Sequence, residues 1–175
     1  MSIRETLPVH PVDHQQSRSE DTAGGLVVCG LVAQPRTLSA AELAALPRTR
    51  RAERFACEEG WAVERLTWEG IALREALSLC APLPEARYAR IYAGDYWLAL
   101  SLDELDNALL CDRLNDAPLD RAHGAPWRLV LSGGACFTSV KWVGTIEVAA
   151  DAGAQTAERI ARDRLAAQAP GALSD

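Results

Sequence analysis

Residues 87–100 read Arg87-Tyr88-Ala89-Arg90-Ile91-Tyr92-Ala93-Gly94-Asp95-Tyr96-Trp97-Leu98-Ala99-Leu100, and this stretch decides the fold class. It is rich in Tyr and Trp and turns at Gly94-Asp95, the pattern of two strands joined by a tight loop. Strand signals continue outward on both sides. Residues 26–32 (LVVCGLV) form a β-branched run suited to a buried strand. Residues 55–68 alternate loosely, with Trp61, Val63 and Arg65 on one side and Ala62, Glu64, Leu66 and Trp68 on the other, and a break near Gly60. Residues 109–114, 127–131 and 140–148 also read as strands, with turns expected at Glu69-Gly70 and at residues 115–118.

Helices are few. Ser39 with Glu42 three residues on is a capping box; Leu43 and Leu46 supply an apolar face and Pro47 stops the helix. Leu73, Ala76, Leu77 and Cys80 recur at helical spacing before Pro82 and Pro84. Residues 103–108 suit a helical turn, and residues 154–168 are helical by propensity. The sum is an α+β fold, mostly β with a few short helices. Residues 1–24 read as an arm, 25–150 as the domain, and 151–175 as a C-terminal helix and tail.

The whole chain has 175 residues, 49% hydrophobic and 24% charged, a globular composition that excludes wholesale disorder. It has no run of about 18 apolar residues, so no membrane helix is expected. The net charge of −6 argues against a broad nucleic-acid surface but allows a local basic pocket. The first residues carry no apolar signal core, and Arg50-Arg51 is internal rather than a twin-arginine leader. A cytoplasmic location is the expectation.

Five cysteines, at 29, 57, 80, 111 and 136, form no CxxC pair, which argues against a zinc ribbon or a thioredoxin site. Their odd number argues against a disulfide framework. Nucleotide P-loop, GxSxG and HExxH motifs are absent. Of three histidines, His10 and His14 lie in the arm and only His123 in the domain. A Cys57/His123 nucleophile pair is conceivable but has no sequence support.

One set of segments says more. Residues 55–61 (FACEEGW) precede Trp68-Glu69-Gly70-Ile71-Ala72-Leu73. Asn115-Asp116-Ala117-Pro118-Leu119 follows, then His123-Gly124-Ala125-Pro126-Trp127-Arg128, and finally Ser139-Val140-Lys141-Trp142. In order and spacing this resembles the molybdopterin-binding domain of the sulfite oxidase family of molybdenum oxidoreductases. That family includes sulfite oxidases, plant-type nitrate reductases and bacterial methionine sulfoxide reductase catalytic subunits.

The resemblance implies a molybdenum–molybdopterin cofactor, a Mo–pterin dithiolene with a phosphate tail. Cys57 matches the cysteine that ligates molybdenum, a role suited to a soft thiolate. His123, Arg128, Ser139 and Lys141 match the set that holds the pterin phosphate, with Arg able to grip its oxygens bidentately. Gly133 and Gly134 would let backbone approach the pterin. Tyr96 matches a tyrosine facing the metal, and Arg54 is a candidate contact for an anionic substrate. Cys29, Cys80 and Cys111 read as structural thiols, and Cys136 lies beside the glycine loop.

The implied activity is two-electron oxygen-atom transfer on a small sulfite- or sulfoxide-like substrate, with electrons exchanged with a separate protein. The sequence departs from the family pattern at Asp116, where the turn usually carries Gly, at Thr138, and in the loop at 133–137. A non-catalytic molybdopterin-binding module, or a cofactor-free interaction module that keeps the fold, is the alternative.

Overall fold

The computed structural model describes residues 1–9 and 24–168. In chain order its elements are β1 (Ser2–Arg4), β2 (Leu26–Gly30), β3 (Arg36–Leu38), α1 (Ala40–Ala44), β4 (Arg48–Cys57), β5 (Trp61–Ala72) and α2 (Leu73–Ser78). They continue with β6 (Tyr88–Ala93), β7 (Tyr96–Ser101), β8 (Ala108–Leu114), β9 (Ala117–Pro118), β10 (Arg128–Leu131), β11 (Thr145–Ala149) and α3 (Ala157–Gln168). Short 3-10 helices occupy Leu102–Asn107, Arg121–His123 and Cys136–Thr138. The architecture is α+β and mostly β.

Two sheets divide the strands. One runs β3-β2-β11-β6-β7, with β11 parallel to β2 and the other pairs antiparallel. The β6–β7 hairpin closes at Gly94, whose φ of 64° suits the turn. The other sheet is built on β5, which pairs with β4 along one edge and with β1 and β8 on the other, and β8 continues to β10. Leu26, Val28, Ile91, Ile146 and Val148 interdigitate with α1 and α2 in the larger core. A smaller core gathers Phe55, Trp61, Trp68, Leu109 and Val130 on the β4–β5–β8–β10 sheet. Burying such side chains contributes roughly 1.5–3 kcal/mol each.

The helix ends follow local chemistry. Ser39 and Glu42 form the reciprocal capping box of α1, with Ser39 Oγ accepting from the Glu42 amide at 3.2 Å. A second box, Ser101 with Glu104, opens the 3-10 turn after β7.

Three sequence expectations are corrected. Glu69-Gly70 is no turn: β5 runs straight through it, with a bulge between the two residues. Gly70 faces the β8 backbone so closely that a Cβ would lie 2.6 Å from the Cα of Cys111. Residues 140–148 are not one strand, because Trp142 takes a φ of 57° and breaks the extended run; only Thr145–Ala149 pairs as β11. The first residues, read as an arm rather than as part of the core, reach both sheet and core. β1 pairs in parallel with Trp61–Val63, and Leu7 is buried.

Candidate functional site

A cavity of about 630 Å³ opens between the smaller core and α3. Its wall brings together Cys57, Tyr96, Arg128, Cys136, Ser139 and Lys141, residues spread over 85 positions of sequence. Cys57 ends β4 just before the Glu58-Glu59-Gly60 turn, and Tyr96 begins β7. Arg128 begins β10, and Cys136 lies in the 3-10 turn that follows it. Cys57, Tyr96 and Arg128 therefore sit at strand ends, while Cys136, Ser139 and Lys141 come from the connection between β10 and β11.

One cation of the wall is buried. Arg128 is 4% exposed, the sole charged residue in the buried class among the described residues. Its Nε donates to Ser139 Oγ at 2.9 Å and its Nη1 to the His123 carbonyl at 3.0 Å. Its guanidinium lies over Phe55 and Trp68, 5.5 and 5.0 Å from the ring centroids. These partners are all neutral, and no carboxylate pairs with it among the described residues. Burial pulls its pKa down to about 10. Lys141 Nζ donates to the Ala122 carbonyl at 2.7 Å. Burial first, then the charges of Arg128 and Arg164, push Lys141 down to about 8.

Gly124 explains how Lys141 gets there. It caps the 3-10 turn with φ 116°, and a Cβ on it would meet the Lys141 side chain at 3.0 Å. Its carbonyl accepts from the Trp142 amide at 3.1 Å, which fixes the crossing of the two segments.

The thiols separate clearly. Burial raises Cys29, Cys80 and Cys111, the last to about 12. Cys57 alone is lowered, chiefly because the Cys136 thiol hydrogen-bonds to its sulfur, with a backbone amide assisting. Cys136 is correspondingly raised, by that bond and by its own donation to Glu58 Oε2 at 2.9 Å. Tyr96 donates its hydroxyl to the Phe137 carbonyl at 2.5 Å, and burial raises its pKa, so it stays protonated at neutral pH.

The other residues singled out in the sequence lie elsewhere. His123 is not on the cavity wall. Its Nδ1 faces Asp120 at 2.9 Å and its Nε2 faces the Leu7 carbonyl at 3.0 Å, while its own carbonyl holds Arg128. Gly133 and Gly134 lie in the loop leading to Cys136 and are also off the wall; a Cβ on Gly134 would lie 2.5 Å from Thr138 Oγ1. Arg54 is likewise off the wall and pairs with Glu64 at 3.1 Å. His10 and His14 lie outside the described residues.

Sequence reasoning missed the roof. Glu158, Ala161, Arg162 and Leu165 of α3, spaced for one helix face, line the cavity together with Arg164. The only signal was that spacing. Leu7 and Pro8 also reach the wall, through a segment with no periodic pattern.

Comparison with known proteins gives a consistent picture. The sequence profile of the family described as oxidoreductase molybdopterin binding domain matches residues 15–156. An uncharacterized oxidoreductase, YuiH, from Bacillus subtilis is 30% identical over 72% of this chain and 65% of its own length. A sulfite oxidase from Arabidopsis thaliana is 26% identical over 82% of this chain and 45% of its own. The catalytic subunit of a protein-methionine-sulfoxide reductase, MsrP, from Xanthomonas campestris is 31% identical over 65% and 41%. The chain thus spans between two fifths and two thirds of these relatives. Among solved structures, the sulfane dehydrogenase SoxCD from Paracoccus pantotrophus superposes with a TM-score of 0.69 at 21% identity, over 75% of this chain and 39% of that one. That likeness establishes the fold.

Proposed function

The chain belongs to the oxidoreductase molybdopterin binding domain family, and on that premise we propose that its cavity holds a molybdenum–molybdopterin cofactor and supports two-electron oxygen-atom transfer on a small sulfite- or sulfoxide-like substrate. One observation carries the reading. The single cysteine pushed toward its thiolate shares a cavity with a buried arginine that has no carboxylate partner among the described residues.

The residues fit the group. A buried guanidinium satisfied only by neutral acceptors is costly, and an anion restores the balance. Arg128 Nη2 makes no hydrogen bond to a described residue, so this donor is open to a phosphate. Lys141 adds a second charge, and Ser139 Oγ orients the guanidinium. Cys57 presents a soft sulfur at the other side of the wall. When bound, the cofactor supplies a metal centre that exchanges two electrons and passes an oxygen atom.

This chain's own residues prepare the site. The neighbouring Cys136 thiol shifts Cys57 toward its thiolate. Tyr96 keeps a proton at Oη, aimed at the Phe137 carbonyl and available to a substrate oxygen that competes for it. Phe55, Trp61 and Leu165 make part of the wall apolar, which strengthens every charge–dipole contact inside. His123 acts one step back, through the carbonyl that holds Arg128. Electrons pass to or from a separate protein, and the substrate class follows the names of the sulfite oxidase and sulfoxide reductase relatives.

Metal analysis of protein made in a cofactor-synthesising host tests this. Molybdenum near one per chain, lost in Cys57→Ser, is expected, with dye-coupled turnover of sulfite or methionine sulfoxide. A folded protein without molybdenum would instead favour a cofactor-free interaction module, and molybdenum without turnover a binding module.

A further inference from the structure

The cavity holds a second thiol beside Cys57. The sulfurs of Cys57 and Cys136 and a carboxylate oxygen of Glu58 all lie within 4.8 Å of one another. Cys136 donates to Glu58 Oε2 at 2.9 Å, and both cysteines line the open cavity. We infer that Cys57 and Cys136 form a reversible disulfide in the cofactor-free protein, a redox modification that withholds the Cys57 sulfur from the cofactor.

The geometry permits the bond. A disulfide needs sulfurs about 2.05 Å apart. The two sulfurs lie within 4.8 Å of one another, and closing the bond takes side-chain rotation together with movement of the loop that carries Cys136. Cys136 rides on a short 3-10 turn behind the Ser132-Gly133-Gly134 loop, where Gly133 at φ 67° has open space around its Cβ position. Cys29, Cys80 and Cys111 belong to no such cluster among the described residues.

The chemistry balances with a peroxide as oxidant. The Cys57 sulfur attacks one oxygen of hydrogen peroxide, the O–O bond breaks, and a sulfenic acid and one water result. Cys136 then attacks the sulfenic sulfur. The S–O bond breaks, the S–S bond forms, and a second water leaves. Glu58, already the acceptor of the Cys136 proton, receives it as the thiol reacts and passes it to the departing hydroxide. Two thiols and one peroxide become one disulfide and two waters; a dithiol reverses the bond by exchange.

The bond itself does not depend on the proposed function; its effect on cofactor uptake does. Cofactor-free protein, kept in chelator so that thiophilic metals do not occupy the cluster, is treated with hydrogen peroxide. Mass spectrometry is expected to show loss of two hydrogens and a peptide joining positions 57 and 136, reversed by dithiothreitol. Cys136→Ser and Cys136→Ala should give no crosslink and instead a sulfenic acid at Cys57, trapped by dimedone. Glu58→Gln should close the bond several-fold more slowly. Wild-type protein that accumulates the trapped sulfenic acid as the Cys136 variants do, or that crosslinks other cysteines, overturns the inference. Oxidised protein should take up molybdopterin at least tenfold less well than reduced protein, and equal uptake overturns the gating. A disulfide in protein that takes up no cofactor in either state supports the bond and overturns the proposed function alone.

Discussion

His123 Nε2 lies 3.0 Å from the carbonyl oxygen of Leu7, a contact spanning 116 residues that ties the segment after β1 to the 3-10 turn at Arg121–His123. The same ring holds Asp120 through Nδ1 at 2.9 Å. His123→Ala removes both contacts and leaves acceptors unpaired, so the unfolding free energy should fall by about 1–3 kcal/mol. Hydrogen exchange at Ser2–Arg4 should rise, because β1 pairs with β5 over only three residues. The contact also has a pH signature. His123 is the first cause of the lowered pKa of Asp120. Stability from a lowered carboxyl is present above the unfolded value of about 3.9 and is lost as pH falls through the lower folded value. The stability gap between wild type and His123→Ala should therefore narrow below about pH 4. A gap unchanged between pH 6 and pH 3 would contradict the assignment.

Arg128 separates a ligand-holding role from a structural one. A buried charge retained for stability should be missed when it is removed; one retained for an anion should not. Replacing buried charge with an apolar side chain of similar volume is often neutral or stabilising. Arg128→Met in cofactor-free protein should keep or raise the thermal midpoint, while molybdenum occupancy falls at least about tenfold, the loss of one charge-assisted hydrogen bond of roughly 1.5–3 kcal/mol. A destabilised cofactor-free variant with unchanged occupancy would make the guanidinium a structural group.

Lys141 carries the pH dependence of anion binding. Its folded pKa is about 8, below its usual 10.5. Between those values the unfolded chain binds more protons than the folded one, so stability should rise with pH there, by at most about 1.4 kcal/mol per unit. Affinity for inorganic pyrophosphate, a probe of the anion subsite, should fall as pH passes through 8 and the amine loses its charge. Lys141→Met should flatten both curves. Calorimetry at pH 7 and pH 9 on the two proteins gives the difference, and parallel curves would remove Lys141 from the subsite.

The fold was legible where side-chain period and turn chemistry agree. The 87–100 hairpin, the Ser39–Glu42 capping box and the strand read at 26–32, which forms over Leu26–Gly30, all follow from local residue types. The site was legible only in part. Cys57, Tyr96, Arg128, Ser139 and Lys141 meet at one cavity, and their segments could be ordered by resemblance. Contacts that depend on tertiary approach leave no periodic trace. The Leu7 carbonyl under His123 is backbone, so no side chain at position 7 encodes it. The Cys57–Cys136 contact joins a strand end to a loop, and spacing says nothing about it. Residues 140–148 are rich in strand-forming side chains, yet the crossing at Gly124 and the positive φ of Trp142 override that preference.

Gly70 is where local reading and tertiary structure part most sharply, and it gives a decisive measurement. Read from its neighbours, Glu69-Gly70 is a turn, and a turn glycine without positive φ would tolerate alanine at little cost. In the fold it lies inside β5, buried against β8, where a Cβ would overlap the Leu110 carbonyl oxygen and crowd the Cα of Cys111. Those atoms are backbone and cannot swing away, so the two strands must separate. Overpacking of a core position costs about 1–3 kcal/mol when side chains can adjust; here they cannot, and Gly70→Ala should cost at least about 3 kcal/mol by the same reasoning. Gly60→Ala is the control. Gly60 has a φ of 87° and open space around it, so its cost is backbone strain alone, about 1–2 kcal/mol. Urea titrations of the two variants should show the larger drop in midpoint for Gly70→Ala, with similar slopes. The reverse order would restore the turn and undo the pairing of β5 with β8.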